Sequence, residues 1–325
     1  MIIDSTFKPA WWLSNSHAQT VFPTLTRRIQ APVDEIERLE LPDGDFIDLA
    51  WANNALPKDA PLIVLLHGLG GGIQSSYVGG FMRAINRMGW RAVLMLFRGA
   101  GKDPNRFPRA YHSGDTGDLN YFLNLIAKRE PNSKKAVVGV SLGGNVLLKW
   151  LGETGKQSII KTAVAISVPF QLRLVADRVS RGFSRIYQGY LLRGLKAVFE
   201  QKMAVYGDSL PEALKNFQKW QCFWTFDEYV TAPLNGFPNV HTYYRESSSR
   251  YYLNHIATPT LIIHALDDPF MTPDVVPTPK ELSEDTVLEL SPTGGHVGFI
   301  SGNIPGIPVY WLEQRVLDHL KSVLN

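Results

Sequence analysis

Lys134–Leu148 reads KKAVVGVSLGGNVLL. An apolar run, Ala136–Val140, meets Ser141. A second apolar set follows at helical spacing: Val146, Leu147, Trp150 and Leu151. Glycines stand two residues before the serine (Gly139) and two and three after it (Gly143, Gly144). The pattern predicts strand, sharp turn and helix, with Ser141 at the tip of the turn. Such a turn strains the serine backbone and pushes its hydroxyl out above the sheet. Strand and helix nearly touch beside it, so the positions two away must be small. The pentapeptide G-x-S-x-G alone arises by chance. Its setting, buried strand before and helix after, makes Ser141 a candidate nucleophile and raises the question of its partners.

Bulk properties narrow the classes. The chain has 325 residues, 45% hydrophobic and 19% charged, enough for one large domain or two with ample core. A net charge of +3 argues against nucleic acid as a partner. No stretch approaches the ~20 apolar residues of a membrane span. The opening MIIDSTFKPAWW lacks a basic n-region, an apolar h-region and a small-residue cleavage site, so no secretory signal is read there. Cys222 is the single cysteine, which excludes an internal disulfide and fits a reducing cytoplasm. There is no H-E-x-x-H and no C-x-x-C. GAGK at Gly99–Lys102 lacks the earlier glycine of a P-loop, since position 96 is Leu. The glycines at 68–72 do not give G-x-G-x-x-G. Neither a metal nor a nucleotide cofactor is expected.

Along the chain, residues 1–32 read as an irregular, aromatic N-terminal arm, with His17 a packing residue within it. Strands are expected at Ile36–Leu41 and Phe46–Trp51, joined by the turn Pro42-Asp43-Gly44-Asp45. PLIVLL at Pro61–Leu66 reads as a strand buried on both faces and runs into His67-Gly68-Leu69-Gly70-Gly71-Gly72. Glycines there let backbone N–H groups point into a cleft, where an acyl-transfer enzyme needs donors for an oxyanion. The amides of Leu69 and Leu142 are the candidates, and His67 reads as a histidine that fixes the loop. A helix over Tyr77–Met88 and a strand over Arg91–Phe97 follow. Then comes the long loop Arg98–Gly114, with His112 a loop-packing residue at its end. Asp115 or Thr116 is placed to cap the helix that runs through Ile126.

After a strand at Thr162–Ser167 the strand–helix alternation pauses. Helices are expected at Leu172–Val179, Ile186–Met203 and Leu210–Val230, before the next strand at Pro259–Leu266. This predicts a catalytic domain over 33–325 with a helical cap inserted at about 168–256. Between 171 and 202 seven Lys/Arg face two acids, Asp177 and Glu200. A solvated helix face over an apolar one accounts for this, and peripheral contact with an anionic lipid surface is the alternative. A strand at Val287–Ser291 and a helix at Val309–Leu324 close the chain.

A serine hydroxyl needs a base within hydrogen-bond reach, and the base needs a carboxylate to orient it. In the order Ser, acid, His, each partner should follow a strand. Of the later histidines, His264 lies inside a strand, His319 in the last helix, and His241 and His255 in the cap or its exit. Only His296 sits in a glycine-flanked loop after a strand, in Pro292-Thr293-Gly294-Gly295-His296. The preceding strand ends in Asp267-Asp268-Pro269. The residue before a proline is held extended, which favours Asp268 over Asp267 as the acid.

With these residues in place, the chain resembles the α/β-hydrolase superfamily, and within it the "AB hydrolase 4" group of YheT-like esterases. The marks are W-L-x-x-x-H-x-Q-T at Trp12–Thr20, HGLGGG at 67–72, and FRGAG with YHSGDTGDL between 97 and 119. GVSLGGN at 139–145, ALDDPF at 265–270 and GGHVGF at 294–299 complete them. The resemblance implies a mostly parallel eight-stranded sheet, a helical lid after the sixth strand, and carboxylic-ester hydrolysis without a cofactor. It also implies Ser141 as nucleophile, Asp268 as acid and His296 as base, on small-molecule or lipid esters. Acyl transfer and thioester cleavage would use the same machinery. An inactive binding module would be expected to have lost one of the three residues, and none is missing.

Overall fold

A computed structural model describes residues 1–207 and 215–325. The apolar runs become strands and the amphipathic stretches helices. In chain order they are β1 (Ile2–Asp4), α1 (Ser16–Thr26), β2 (Glu35–Glu40), β3 (Phe46–Ala52), β4 (Leu62–Leu66), α2 (Val78–Arg87), β5 (Arg91–Leu96), α3 (Gly117–Arg129) and β6 (Lys135–Val140). There follow α4 (Leu142–Thr154), β7 (Thr162–Ile166), α5 (Leu172–Val179), α6 (Arg185–Tyr206), α7 (Val240–Ser247), β8 (Thr260–Ala265), β9 (Thr286–Ser291) and α8 (Trp311–Leu324).

One sheet of order β1-β9-β8-β7-β6-β4-β5-β3-β2 organises the molecule. β5, β4, β6, β7, β8 and β9 run parallel, while β3 pairs antiparallel with β5 and with β2. Every residue of β4, β6 and β7 is buried, as expected of parallel strands covered on both faces. One face packs against α3 and α4, through Phe122, Leu123, Val146 and Trp150. The other packs against α2 and α8, through Phe81, Ile85, Val316 and Leu320. The strand order reverses around β4, so the loops after β4 and β6 open a crevice at the carboxyl edge of the sheet.

Two expectations are corrected at the N-terminus. Residues 1–32 are not irregular: β1 pairs parallel with the outer edge of β9, Ile2 opposite Leu288, and α1 follows. The sheet therefore has nine strands among the described residues, not eight. Local propensity hides α1, whose sequence SHAQTVFPTLT carries a proline and three threonines. It forms because Asn15 caps it, accepting from the amides of His17 and Ala18 at 2.9 and 3.2 Å, and because Gln19 and Pro23 are buried.

Between β7 and β8 the described chain is helical. α6 is longer than expected, reaching Tyr206. Of the helix read over Leu210–Val230, residues 210–214 lie outside the described residues, and the rest is broken. A 3₁₀ turn at Phe217–Lys219 precedes a short helix, Phe223–Phe226, which runs through a π-helical turn, Asp227–Thr231, into Ala232–Leu234. Leu192, Phe199, Phe217, Phe226 and Val230 give this region a small core of its own. The last helix starts at Trp311 because Val309 and Tyr310 pair antiparallel with Ser301 and Ile300.

The long loop 98–114 is pinned by buried charge. Arg98 binds Asp118 bidentately at 2.6 and 2.7 Å and reaches Asp43 at 2.7 Å. Arg109 takes Asp115 at 2.6 Å, so Asp115 serves this pair, and neither Asp115 nor Thr116 caps α3 through its side chain. Lys202 of α6 is buried and donates to the carbonyls of Phe107 and Arg109, both at 2.8 Å. Breaking one member of such buried sets costs about 3–5 kcal/mol. The set fixes Tyr111–Ser113, at the end of the loop, where they line a cleft above the sheet.

Candidate active site

Ser141 follows β6 and has φ +54° and ψ −118°, the strained turn its neighbours predict. A Cβ on Gly139 would lie 2.5 Å from the Gly143 carbonyl oxygen, and one on Gly143 2.5 Å from that of Leu66. No side chain fits at either position. α4, buried from Leu142 to Gly152, starts directly after the serine and leaves its first amides without intrahelical partners.

His296 lies in the loop after β9. Its Nε2 is 3.0 Å from Ser141 Oγ, and its Nδ1 is 2.7 Å from Asp268 Oδ2. Asp268 is 3% exposed, and its other oxygen accepts from the Phe270 amide at 2.8 Å. The Phe270 ring stacks on the imidazole with centroids 4.1 Å apart and planes 6° from parallel. Asp267 points elsewhere: its Oδ1 accepts from the Gly295 amide at 2.9 Å, and burial raises its carboxyl above the usual range. Ser141, His296 and Asp268 thus form one hydrogen-bonded line, with Asp267 bracing the loop that carries the histidine.

The loop after β4 is held by two tyrosines. Tyr77 Oη accepts from the Gly68 amide and Tyr111 Oη from the Gly70 amide, both at 2.8 Å. The amide between them, Leu69, and that of Leu142 have no hydrogen-bond partner among the described residues. Both residues line the cleft beside Ser141. His67 is fully buried, its Nδ1 donating to the Gly68 carbonyl at 2.8 Å and its Nε2 accepting from the Phe97 amide at 3.2 Å. Burial lowers it to about 4, so it stays neutral and fixes the loop.

The remaining histidines lie off the line. His17 bonds Tyr187 Oη at 2.9 Å. His112 lines the cleft between Phe237 and Tyr243, with Nδ1 accepting from the Gly114 amide at 3.2 Å. His264 is buried inside β8, and His319 bonds Thr162. His241 packs on Trp224, and His255 ends the 3₁₀ stretch Ser249–His255.

Several further supports of the histidine loop have no local signature of that role in the sequence. Thr20 of α1 accepts from the His296 amide at 2.9 Å, and Ser167 accepts from the Val297 amide at 3.1 Å. Gln19 brackets the next turn, donating to the Leu13 and Ile300 carbonyls and accepting from the Ile300 amide at 2.6 Å. The one signal for these was the W-L-x-x-x-H-x-Q-T stretch, which carried resemblance but no role.

Above Ser141 lies a cleft of about 890 Å³. One wall is α1 with residues 74–77. The other is α5, α6 and the aromatics Phe223, Tyr243 and Tyr244. Among the described residues a single carboxyl interrupts that second wall. Asp227 accepts from Thr231 at 2.6 Å and Tyr244 at 2.8 Å, and burial raises it to about 6.

A family model described as "alpha/beta hydrolase fold" matches residues 61–303. The chain belongs to the α/β hydrolase fold family. It is 43% identical over 320 residues to "Putative esterase YheT" of Escherichia coli (strain K12), covering 98% of this chain and 94% of that one. It is 30% identical over 245 residues to the monoacylglycerol lipase of Saccharomyces cerevisiae, covering 74% of this chain and 55% of the lipase. Among solved structures, an esterase from Pyrococcus furiosus aligns with a TM-score of 0.56 at 20% identity, over 90% of this chain and 94% of that one. The last likeness concerns fold alone. The α/β hydrolase matched residues leave out α1, the element whose Thr20 holds the His296 amide.

Proposed function

We propose that this α/β hydrolase is a serine carboxylesterase, with Ser141 as nucleophile, His296 as base and Asp268 as the carboxylate that orients it. The reading rests on the unbroken line from Ser141 Oγ through both imidazole nitrogens to Asp268, at 3.0 and 2.7 Å, under an open cleft. Ser141 Oγ adds to the ester carbonyl carbon as its proton passes to His296 Nε2. The amides of Leu69 and Leu142 receive the oxyanion, and their lack of internal partners supports that role. Collapse breaks the carbon–oxygen bond, and the leaving alcohol takes the proton from His296. Water then gives a proton to His296 and adds to the acyl-enzyme. The second collapse returns the proton to Ser141 and releases the acid.

The helical segment 168–256 would act as the cap over this chemistry, and the apolar side of the cleft would hold the acyl chain. The esterase and lipase names of the relatives agree with ester substrates. A fluorophosphonate probe tests the assignment: the unaltered protein should label and Ser141→Ala should not. Labelling that persists in the variant would sink it. A chain-length series of nitrophenyl esters, with Ser141→Ala as the blank, would then define the acyl pocket.

A further inference from the structure

Two segments frame the mouth of the cleft, 16–30 in the N-terminal arm and 178–199 across α6, and neither contains an aspartate or a glutamate. Among their exposed side chains are large apolar ones, where water would favour polar groups. Leu25 is 66% exposed, Ile186 60% and Tyr190 64%, and all three also line the cleft. Phe183, 56% exposed, lies over His17 with ring centroids 4.5 Å apart, so it joins the two segments at the surface.

On α6, Ile186, Tyr190 and Arg193 recur at i, i+4 and i+7 and share a face. Tyr187, Leu192 and Phe199 are buried on the inner side. Gln188 and Lys202 are buried on that side too, so the helix is amphipathic inward and also carries large apolar groups outward, which a solvated face does not explain. Arg28, Arg181, Arg185 and Arg193 are exposed around these apolar groups, and none forms an ion pair among the described residues. Large apolar side chains ringed by free arginines match a surface that offers acyl chains and anionic headgroups together.

We propose that this cleft mouth docks on an anionic phospholipid bilayer. Leu25, Phe183, Ile186 and Tyr190 enter the interface, and the arginines meet headgroup phosphates. The orientation would set the cleft against the bilayer, so that an ester could enter without crossing water. The docking itself does not depend on the esterase reading, because it can be measured without turnover.

The test is co-sedimentation of Ser141→Ala protein with vesicles of phosphatidylcholine, with and without phosphatidylglycerol. Binding is expected to the anionic vesicles, at least about 25-fold weaker to the neutral ones, and to fall as ionic strength rises. The pair Arg181→Gln and Arg185→Gln should lower anionic-vesicle binding about 25-fold, at roughly fivefold per charge. In an otherwise unaltered enzyme the same pair should leave hydrolysis of a water-soluble nitrophenyl ester unchanged, since neither arginine lines the cleft. Phe183→Ser should lower binding about tenfold. Equal binding to both vesicles, no binding, or binding that both folded variants retain would overturn the proposal. Sedimentation velocity without lipid adds one more outcome: a dimer that Phe183→Ser abolishes, with no vesicle binding, would assign the face to a second copy and overturn it as well.

Discussion

Asp267 and Asp268 leave the same turn after β8 for different partners. Asp268 Oδ2 meets His296 Nδ1 at 2.7 Å, whereas Asp267 Oδ1 accepts from the Gly295 amide at 2.9 Å. Asn in place of Asp268 keeps the shape but removes the charge that stabilises a protonated imidazole and fixes its tautomer. Asp268→Asn should therefore lower kcat by about 10³–10⁴-fold on a soluble nitrophenyl ester. Asn in place of Asp267 can still accept from Gly295 through its amide oxygen, so Asp267→Asn should cost less than about tenfold. Steady-state rates of the two variants, compared at matched folding by circular dichroism, would show this order, and the opposite order would exchange their roles. That Asp268 rather than Asp267 is the one placed to bond His296 was legible in the sequence because Pro269 acts locally, on the backbone of the residue before it. The elbow was legible for the same reason: the turn at Ser141 needs small neighbours, and all of them lie within three residues.

At the scale of elements, α1 is a support for the histidine loop as well as part of the cleft wall. Thr20 Oγ1 accepts the His296 amide, and Cβ atoms on Gly295 and Gly298 would lie 2.5 and 2.4 Å from the carbonyl oxygens of Ser16 and Gln19. Pro23 lacks the N–H that would otherwise bond the Gln19 carbonyl, which suits the close approach of Gly298. Thr20→Val keeps the volume and removes the acceptor. It should lower kcat about tenfold with little change in KM, and Thr20→Ser should restore it, as measured on the same ester. Equal loss in both variants would mean that Thr20 acts through packing alone. None of this could be read from residues 1–32 alone. The partner of Thr20 lies 276 residues away and that of Gln19 281, and local propensity in α1 argues against a helix. What folds α1 is the docking of distant loops. By contrast, β4, β6, β7 and α5 lie within a residue or two of their expected limits, because each carries its period or apolar run in its own sequence.

The whole molecule stores several neutral histidines. Burial lowers His67, His264 and His319 to about 4 and His112 to about 3, against an ordinary value of 6.5. Each is depressed in the folded state, so its contribution is intact above 6.5 and is lost as pH falls through 6.5 toward 4, where the unfolded chain takes up protons that the native one refuses. Near pH 5 the loss is on the order of 2 kcal/mol for each histidine. Asp115 and Asp227 work the other way. Burial raises both to about 6, so acidification through 6 relieves the native state by on the order of 1 kcal/mol each. Four losses outweigh two gains, and the urea midpoint should fall clearly between about pH 7.5 and pH 5. His319 allows one histidine to be tested alone. Its Nε2 donates to Thr162 Oγ1 at 2.8 Å, a bond the amide of glutamine can also make. His319→Gln should then keep most of the stability near neutrality and shrink the drop at pH 5 by about 1–2 kcal/mol. An unchanged drop would remove His319 from the set of groups that make this fold acid-sensitive.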